Sequence, residues 1–271
     1  MEGRWIEVAD RVLVRRYAEL DLSVGLVLGD GGCLVIDTRG DERQGAELAS
    51  EVRRITRDPW TVVLTHAHFD HSFGTRPFLA CPVWAHEACH ADLVADGART
   101  KDAWARRYRE QGRPDIAADI EKTEIVPPDR LVTDRAEVAA GGRRAVLAHL
   151  GRGHSPSDLV IAVPDAGVVF AGDLVENGAP PAYGDAFPLE WPDTLGGLLG
   201  LAGDAVVVPG HGDPVDRAFV TAQRAEIEAV AGLCREVAAG RMSREEAVRR
   251  SPYPEDTTLT ALDRLDGPPG G

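Results

Sequence analysis

The chain reads as an α/β protein. Three observations predict this class. Short apolar runs with strand-like alternation recur along the chain, segments with helical spacing separate them, and several runs end in polar loops rather than in tight hairpins. Its 271 residues suit one large α/β domain or two small ones, and a hydrophobic fraction of 44% supplies an ordinary core.

The first forty residues predict a β-meander. Arg11–Arg15 alternates, Ser23–Leu28 is mostly apolar, Gly29–Gly32 marks a turn, and Cys33–Ile36 follows. Residues 41–55 carry small or apolar side chains at helical spacing until Pro59. Thr61–Leu64 is a strand that delivers Thr65-His66-Ala67-His68-Phe69-Asp70-His71 into a bend. Ser72–Leu79 is a short helix and Pro82–Ala85 a short strand.

Residues 86–121 form a helical, charged insert with Trp104, Tyr108 and Ile116 as anchors, placed either as cover over a pocket or as a solvated layer. Strands return at Ile125-Val126, Leu131-Val132, Arg144–Leu147, Leu159–Val163, Val168–Phe170 and Ala205–Val208. Helices follow at Trp191–Leu199, at Arg217–Ala239 and, behind the capping pair Ser243 and Glu246, at Ser243–Arg250. The helical C-terminal part thus begins near residue 215, and the Gly267–Gly271 tail is expected to fray.

A net charge of −14 argues against nucleic acid or an anionic membrane as partner. No secretory signal is read in the charged Met1–Asp10 stretch, and no apolar run reaches membrane length. Cys33, Cys81, Cys89 and Cys234 lack CxxC pairing and read as free thiols of a reducing, cytoplasmic setting, with a Cys81–Cys89 bridge as the alternative.

The chemistry concentrates after Leu64. In an extended segment His66 and His68 share one side, while Asp70 and His71 fall beyond the bend, so one peptide serves two neighbouring metal sites. His154, Asp173 and His211 repeat the logic, each just past an apolar strand, and they bring to five the share of the eight histidines so placed. Neutral imidazoles and ionised carboxylates on rigid supports are what metal sites require.

The order THxHxDH, GH, GD, GHG resembles the metallo-β-lactamase superfamily over nearly the whole chain. The resemblance implies a single domain over residues 1–271, a four-layer αβ/βα sandwich of two mixed sheets flanked by helices. It implies that His66, His68 and His154 hold one metal, that Asp70, His71 and His211 hold the second, and that Asp173 bridges both. The family's usual metal is zinc, with iron or manganese in some branches. Two divalent ions sharing one water lower its pKa towards about 7 and so supply a bridging hydroxide as nucleophile. Asp70 would steady that nucleophile and handle its proton, and Asp173 would balance the cations.

Asp173 also separates the chain from zinc β-lactamases that carry Cys there. The residues gripping glutathione in glyoxalase II have no match after Asp173. Lactonases of the family use a tyrosine beyond the bridging Asp, for which Tyr183 is the candidate. The run from Gly151 to Pro181 is most similar to bacterial metallohydrolases related to quinoprotein-associated and sulfur-oxidation hydrolases.

The function so implied is hydrolysis of an ester, thioester, lactone or amide of a small molecule, with a homodimer allowed. Persulfide-dioxygenase-like chemistry on one iron, or a non-catalytic metal-binding role, are the rivals. Tyr183, Asp185, Phe187 and Trp191 are candidates for the pocket wall, and Arg152 for an anionic substrate group. His86 and His90, four apart on a helix, read as a chelating pair or as a surface pair, and His149 as a hydrogen-bonded core residue. Asp37, Ser155 and Asp158 either orient ligands or cap turns.

Overall fold

A computed structural model describes residues 3–266. Strands β1 (Arg4–Ala9), β2 (Val12–Arg16), β3 (Ser23–Leu28) and β4 (Cys33–Ile36) form the antiparallel meander. Helix α1 (Glu42–Ile55) then crosses to β5 (Trp60–Val63). A short helix α2 (Phe69–Ser72), β6 (Val83–His86), α3 (Glu87–Glu110), α4 (Pro114–Lys122) and β7 (Arg130–Val132) follow. Strands β4 to β7 pair in parallel, completing a seven-stranded sheet in chain order.

The second sheet has five strands: β8 (Arg135–Ala140), β9 (Arg143–His149), β10 (Leu159–Val163), β11 (Val168–Glu176) and β12 (Val206–His211). Helix α5 (Trp191–Ala202) links its last two strands, which run parallel. Helices α6 (Arg217–Ala238), α7 (Arg244–Arg250) and α8 (Glu255–Asp263) close the described chain. The Gly267–Gly271 tail lies outside the described residues.

Strand alternation builds three apolar layers. Leu34 and Ile36 face Leu147, Ile161 and Phe170 between the sheets. Cys33 and Val35 point the other way, against α1, α3 and α4. On the far side Val160 and Val169 pack on α5 and α6. The order helix, sheet, sheet, helix is the expected αβ/βα sandwich.

The structure differs from the sequence reading at several elements, among them helix α8, which was not expected. Strands β1 and β8 were not expected. Both are sheet edges with largely exposed or half-exposed residues, so the hydrophobic alternation that marks an inner strand is weak in them. Ile125-Val126 is not a strand, since Pro127 and Pro128 remove two backbone donors and Ile125 instead packs near Gly97 of α3. The helix expected at Ser72–Leu79 begins earlier, at Phe69, and continues as a 3-10 turn through Phe78. The Ser72 hydroxyl donates back to the Ala67 and His68 carbonyls at 2.9 Å and holds that turn. The four cysteines are free.

Phe170 is 3% exposed and fills the layer between the sheets. Phe170→Ala is expected to lower the unfolding free energy by about 3–5 kcal/mol. Each kcal/mol should appear as roughly 2–4 °C in Tm. A melt matching the wild type would contradict the role given to this layer.

Candidate metal centre

Seven side chains meet at the ends of β5, β9, β11 and β12. His66, His68, His154 and Asp173 form one group, and Asp70, His71 and His211 another. Within each group the donor atoms lie within 4.8 Å of one another, close enough to hold an ion. The ends of two sheets bring together segments some 145 positions apart.

Asp173 sits between the groups. Its Oδ2 lies 3.7 Å from His66 Nε2, 3.4 Å from His154 Nε2 and 3.2 Å from His211 Nε2, while Oδ1 lies 3.2 Å from His71 Nε2. The pairing register of β11 with β12 shifts on both sides of Gly172, a bulge of the kind that re-aims a neighbouring side chain. Gly210 on β12 leaves the room, since a Cβ there would stand 1.8 Å from Asp173 Oδ1. Asp70 Oδ2 is 3.4 Å from His211 Nε2 and 3.7 Å from His71 Nε2.

Every imidazole has one nitrogen tied down outside the cluster. His66 Nδ1 is 3.0 Å from Thr65 Oγ1, and His71 Nδ1 is 2.8 Å from Asp37 Oδ2. His68 Nε2 is 2.9 Å from Asp185 Oδ2. His154 Nδ1 meets the Ala182 carbonyl at 3.2 Å, and His211 Nδ1 the Leu20 carbonyl at 2.7 Å. The other nitrogens point inward, as in metal-bound histidines fixed by outer partners. Thr65 Oγ1 donates to Asp37 Oδ2 at 2.8 Å, so it accepts from His66 Nδ1–H. The network therefore assigns a bare lone pair to His66 Nε2.

Asp37 anchors this frame. It is buried, it accepts from Thr65 N at 2.7 Å, and its φ of +65° lies in the left-handed region. Leu20 and Asp21 share that conformation, at φ +58° and +53°, beside the carbonyl that holds His211. Such backbone costs on the order of 1 kcal/mol or more per residue and persists where surrounding bonds over-determine it. Tyr108 of α3 and Arg113 supply some of those bonds by donating to Glu19 at 3.1 Å each.

The electrostatics divide the histidines. Burial and the neighbouring His71 hold His66 well below its ordinary value. Burial likewise takes His154 down to about 4. For the other three, burial opposes charge but carboxylates overcome it. Asp185 takes His68 up to about 9, Asp173 takes His211 to about 10, and Asp173 with Asp70 and Asp37 raises His71 well above 6.5. Burial also opposes ionisation of Asp173, yet His211 and His71 hold it well below the usual carboxylate range.

These residues fit a divalent cation. His66 Nε2 and Asp173 Oδ1 are buried and have no hydrogen-bond partner among the described residues. A buried polar atom without a partner is costly, and a metal bond would remove that cost here.

A cleft of about 580 Å³ opens over the cluster. Thr100, Trp104 and Arg107 of α3 line it, so the helical insert is a wall of the pocket. Leu20 and residues 177–179 of the Gly/Pro-rich loop line it too.

The expected substrate contacts need correction. Tyr183 and Trp191 are 2% and 0% exposed, and they pack as a pair behind His154, with Trp191 Nε1 donating to the Leu174 carbonyl. An aromatic beyond Asp173 thus serves packing here, and the lactonase-like tyrosine match fails at Tyr183. Arg152 pairs with Glu190 at 2.9 Å and covers the Phe187 ring, outside the residues that line the cleft. Asp185 does line it and also holds His68.

His86 and His90 bond to the Thr133 and Pro128 carbonyls, and His86 stacks on His149 at 3.9 Å, so neither chelates with the other. Ser155 and Asp158 hydrogen-bond to one another and cap their turn. Glu176 was not foreseen. It lines the cleft, accepts from Ala182 N, and is pushed up to about 8 by burial and by Asp173. Its only sequence signal is a carboxylate at the end of a buried strand.

Comparison with known proteins agrees with this geometry. The family model described as the metallo-beta-lactamase superfamily matches residues 19–227. The chain is 24% identical over 204 residues to a metallo-beta-lactamase type 2 of Bacillus cereus, covering 73% of this chain and 70% of that protein. It is 29% identical over 123 residues to the acyl-coenzyme A thioesterase MBLAC2 of Gallus gallus, covering 45% and 43%. The structure of a metallo-beta-lactamase from Pontibacter korlensis superposes with a TM-score of 0.66 at 20% identity, covering 84% of this chain and 99% of that one. The chain belongs to the metallo-beta-lactamase superfamily and is a metal-dependent hydrolase.

Proposed function

We propose that this hydrolase cleaves an ester, thioester, lactone or amide of a small molecule with two zinc ions. His66, His68 and His154 hold one, Asp70, His71 and His211 hold the other, and Asp173 bridges them. Iron or manganese suits the same donors. The observation that carries this reading is that the two oxygens of Asp173 face both histidine groups. Two divalent ions held by these residues would supply an activated water and polarise the scissile carbonyl.

The chain's own residues do the rest. Asp70 is 8% exposed, lines the cleft and presents Oδ2 beside His211, where it can orient the attacking water and take its proton. Asp37 fixes His71 and Asp185 fixes His68, so the donors need little rearrangement. Thr100, Trp104 and Arg107 of α3 form one wall of the cleft in which substrate would lie. The thioesterase among the relatives supports acyl compounds as the substrate class.

The completeness of the second group favours this over chemistry on one iron. A non-catalytic role would leave a broad ester, lactone and β-lactam panel untouched. A single domain belongs to the same reading, supported by the apolar layer that both sheets share. A cytoplasmic location and the homodimer rest on the sequence alone. Among the described residues no helix is long and apolar enough to cross a membrane.

Metal analysis of purified protein should give two zinc per chain, against one iron with oxygen uptake for the rival. Asp173→Ala should retain at most one ion and lose more activity than the roughly 10–100-fold that loss of an outer partner costs. Unchanged turnover in that variant sinks the two-metal reading. Asp37→Ala, which removes the outer partner of His71 and the acceptor of Thr65, should weaken metal affinity by at least about 10–100-fold.

The pH dependence has a definite sign. The folded values of His68 and His211, about 9 and about 10, lie above the ordinary 6.5. In metal-free protein the stability they contribute is fully present below about 6.5 and is lost as pH rises through those values. The same protons compete with a cation. Zinc affinity should therefore climb from pH 6 to 9, and calorimetry in buffers of different ionisation enthalpy should show proton release at pH 7. Affinity that does not vary with pH would contradict this.

A further inference from the structure

The lining of the cleft carries a feature that the metal chemistry does not use. Phe69, next to Asp70 in the chain, is buried and stacks on Trp104 of α3, with ring centroids 4.1 Å apart and planes 29° from parallel. The Arg107 guanidinium carbon stands 4.8 Å from the Trp104 ring centroid. Arg107 is exposed and has no carboxylate partner among the described residues, whereas Arg109 and Arg113 nearby are paired with Glu121 and Glu19.

Arg107 is also the one lysine or arginine among the described residues lining this cleft. The cleft is also lined by the carboxyl residues Asp21, Asp70, Asp173, Glu176 and Asp185 and by His68, His154 and His211 of the metal centre. A guanidinium held over an aromatic face and left free keeps its planar fork available for an oxyanion. On a chain of net charge −14 it is a local exception.

We propose that Trp104 and Arg107 form the specificity site for the substrate. The substrate is then an acyl compound whose apolar or aromatic body lies along Trp104 and whose separate anionic group, a carboxylate or a phosphate, is bound by Arg107. This rests on the hydrolytic reading above and names the class of ester or thioester that the cleft selects. Leu20, Ala179 and Ala182 supply further apolar lining for the body, and Arg107 of α3 takes the anion.

Binding and turnover test it separately. Calorimetry on the full chain in its metal-loaded form would compare naphthalene-2-sulfonate with the neutral 2-(methylsulfonyl)naphthalene. Neither has a bond to cleave, and a sulfonate is a poor metal ligand. The wild type should prefer the sulfonate by about tenfold or more, as one charge-assisted contact allows. Arg107→Gln should remove the preference, Arg107→Lys should keep part of it, and added salt should shrink it. Equal binding, no binding of either probe, or a preference that survives Arg107→Gln would overturn the proposal.

In parallel, the 4-nitrophenyl monoester of glutaric acid would be compared with 4-nitrophenyl valerate. The anionic ester should show the lower KM, and Arg107→Gln should raise its KM more than that of the neutral ester while kcat changes less. Turnover of both esters without discrimination overturns this inference and leaves the hydrolytic reading standing. Selective probe binding with no ester turnover does the reverse.

Discussion

Asp173 is a carboxylate 4% exposed with four imidazole nitrogens within 3.7 Å of its two oxygens. Burying an anion is costly unless its charge is answered at close range. The two sheets, the bulge at Gly172 and the absence of a side chain at Gly210 all serve to seat this one group. A site built this way is stable only with positive charge inside it. Carboxylates raise His71 and His211 in answer to that charge, and a cation held by the same donors would answer it too.

Rigidity comes from strand ends and from a second layer of contacts. Asp37, Thr65, Asp185 and the carbonyls of Leu20 and Ala182 each hold the nitrogen that faces away from the cluster. Left-handed backbone at Leu20, Asp21 and Asp37 marks where the chain is bent to deliver them. Helix α3 joins this layer through Glu19 and lines the cleft with its own residues, so one element links the fixed metal frame to substrate contact.

The seven donors were legible because metal chemistry demands a narrow set of residue types, and strand ends place them at readable offsets. Inner strands were legible for a similar reason, since an apolar run such as Leu159–Val163 has few other uses. The edge strands β1 and β8 were hidden because solvent accepts almost any side chain there. Tyr183 and Trp191 were misplaced because an aromatic beside a site looks the same in sequence whether it faces the cleft or the core. Glu176 and the hold of Asp185 on His68 depend on contacts across 35 and 117 positions. Nothing local to those residues announces such pairings.

The most direct test of the central claim is the location of metal by anomalous diffraction from zinc-grown crystals. Two peaks about 3.5–4 Å apart, one on each side of the Asp173 carboxylate, are the result this account requires. A single peak among His66, His68 and His154, with Asp70 and His211 turned away, would contradict it.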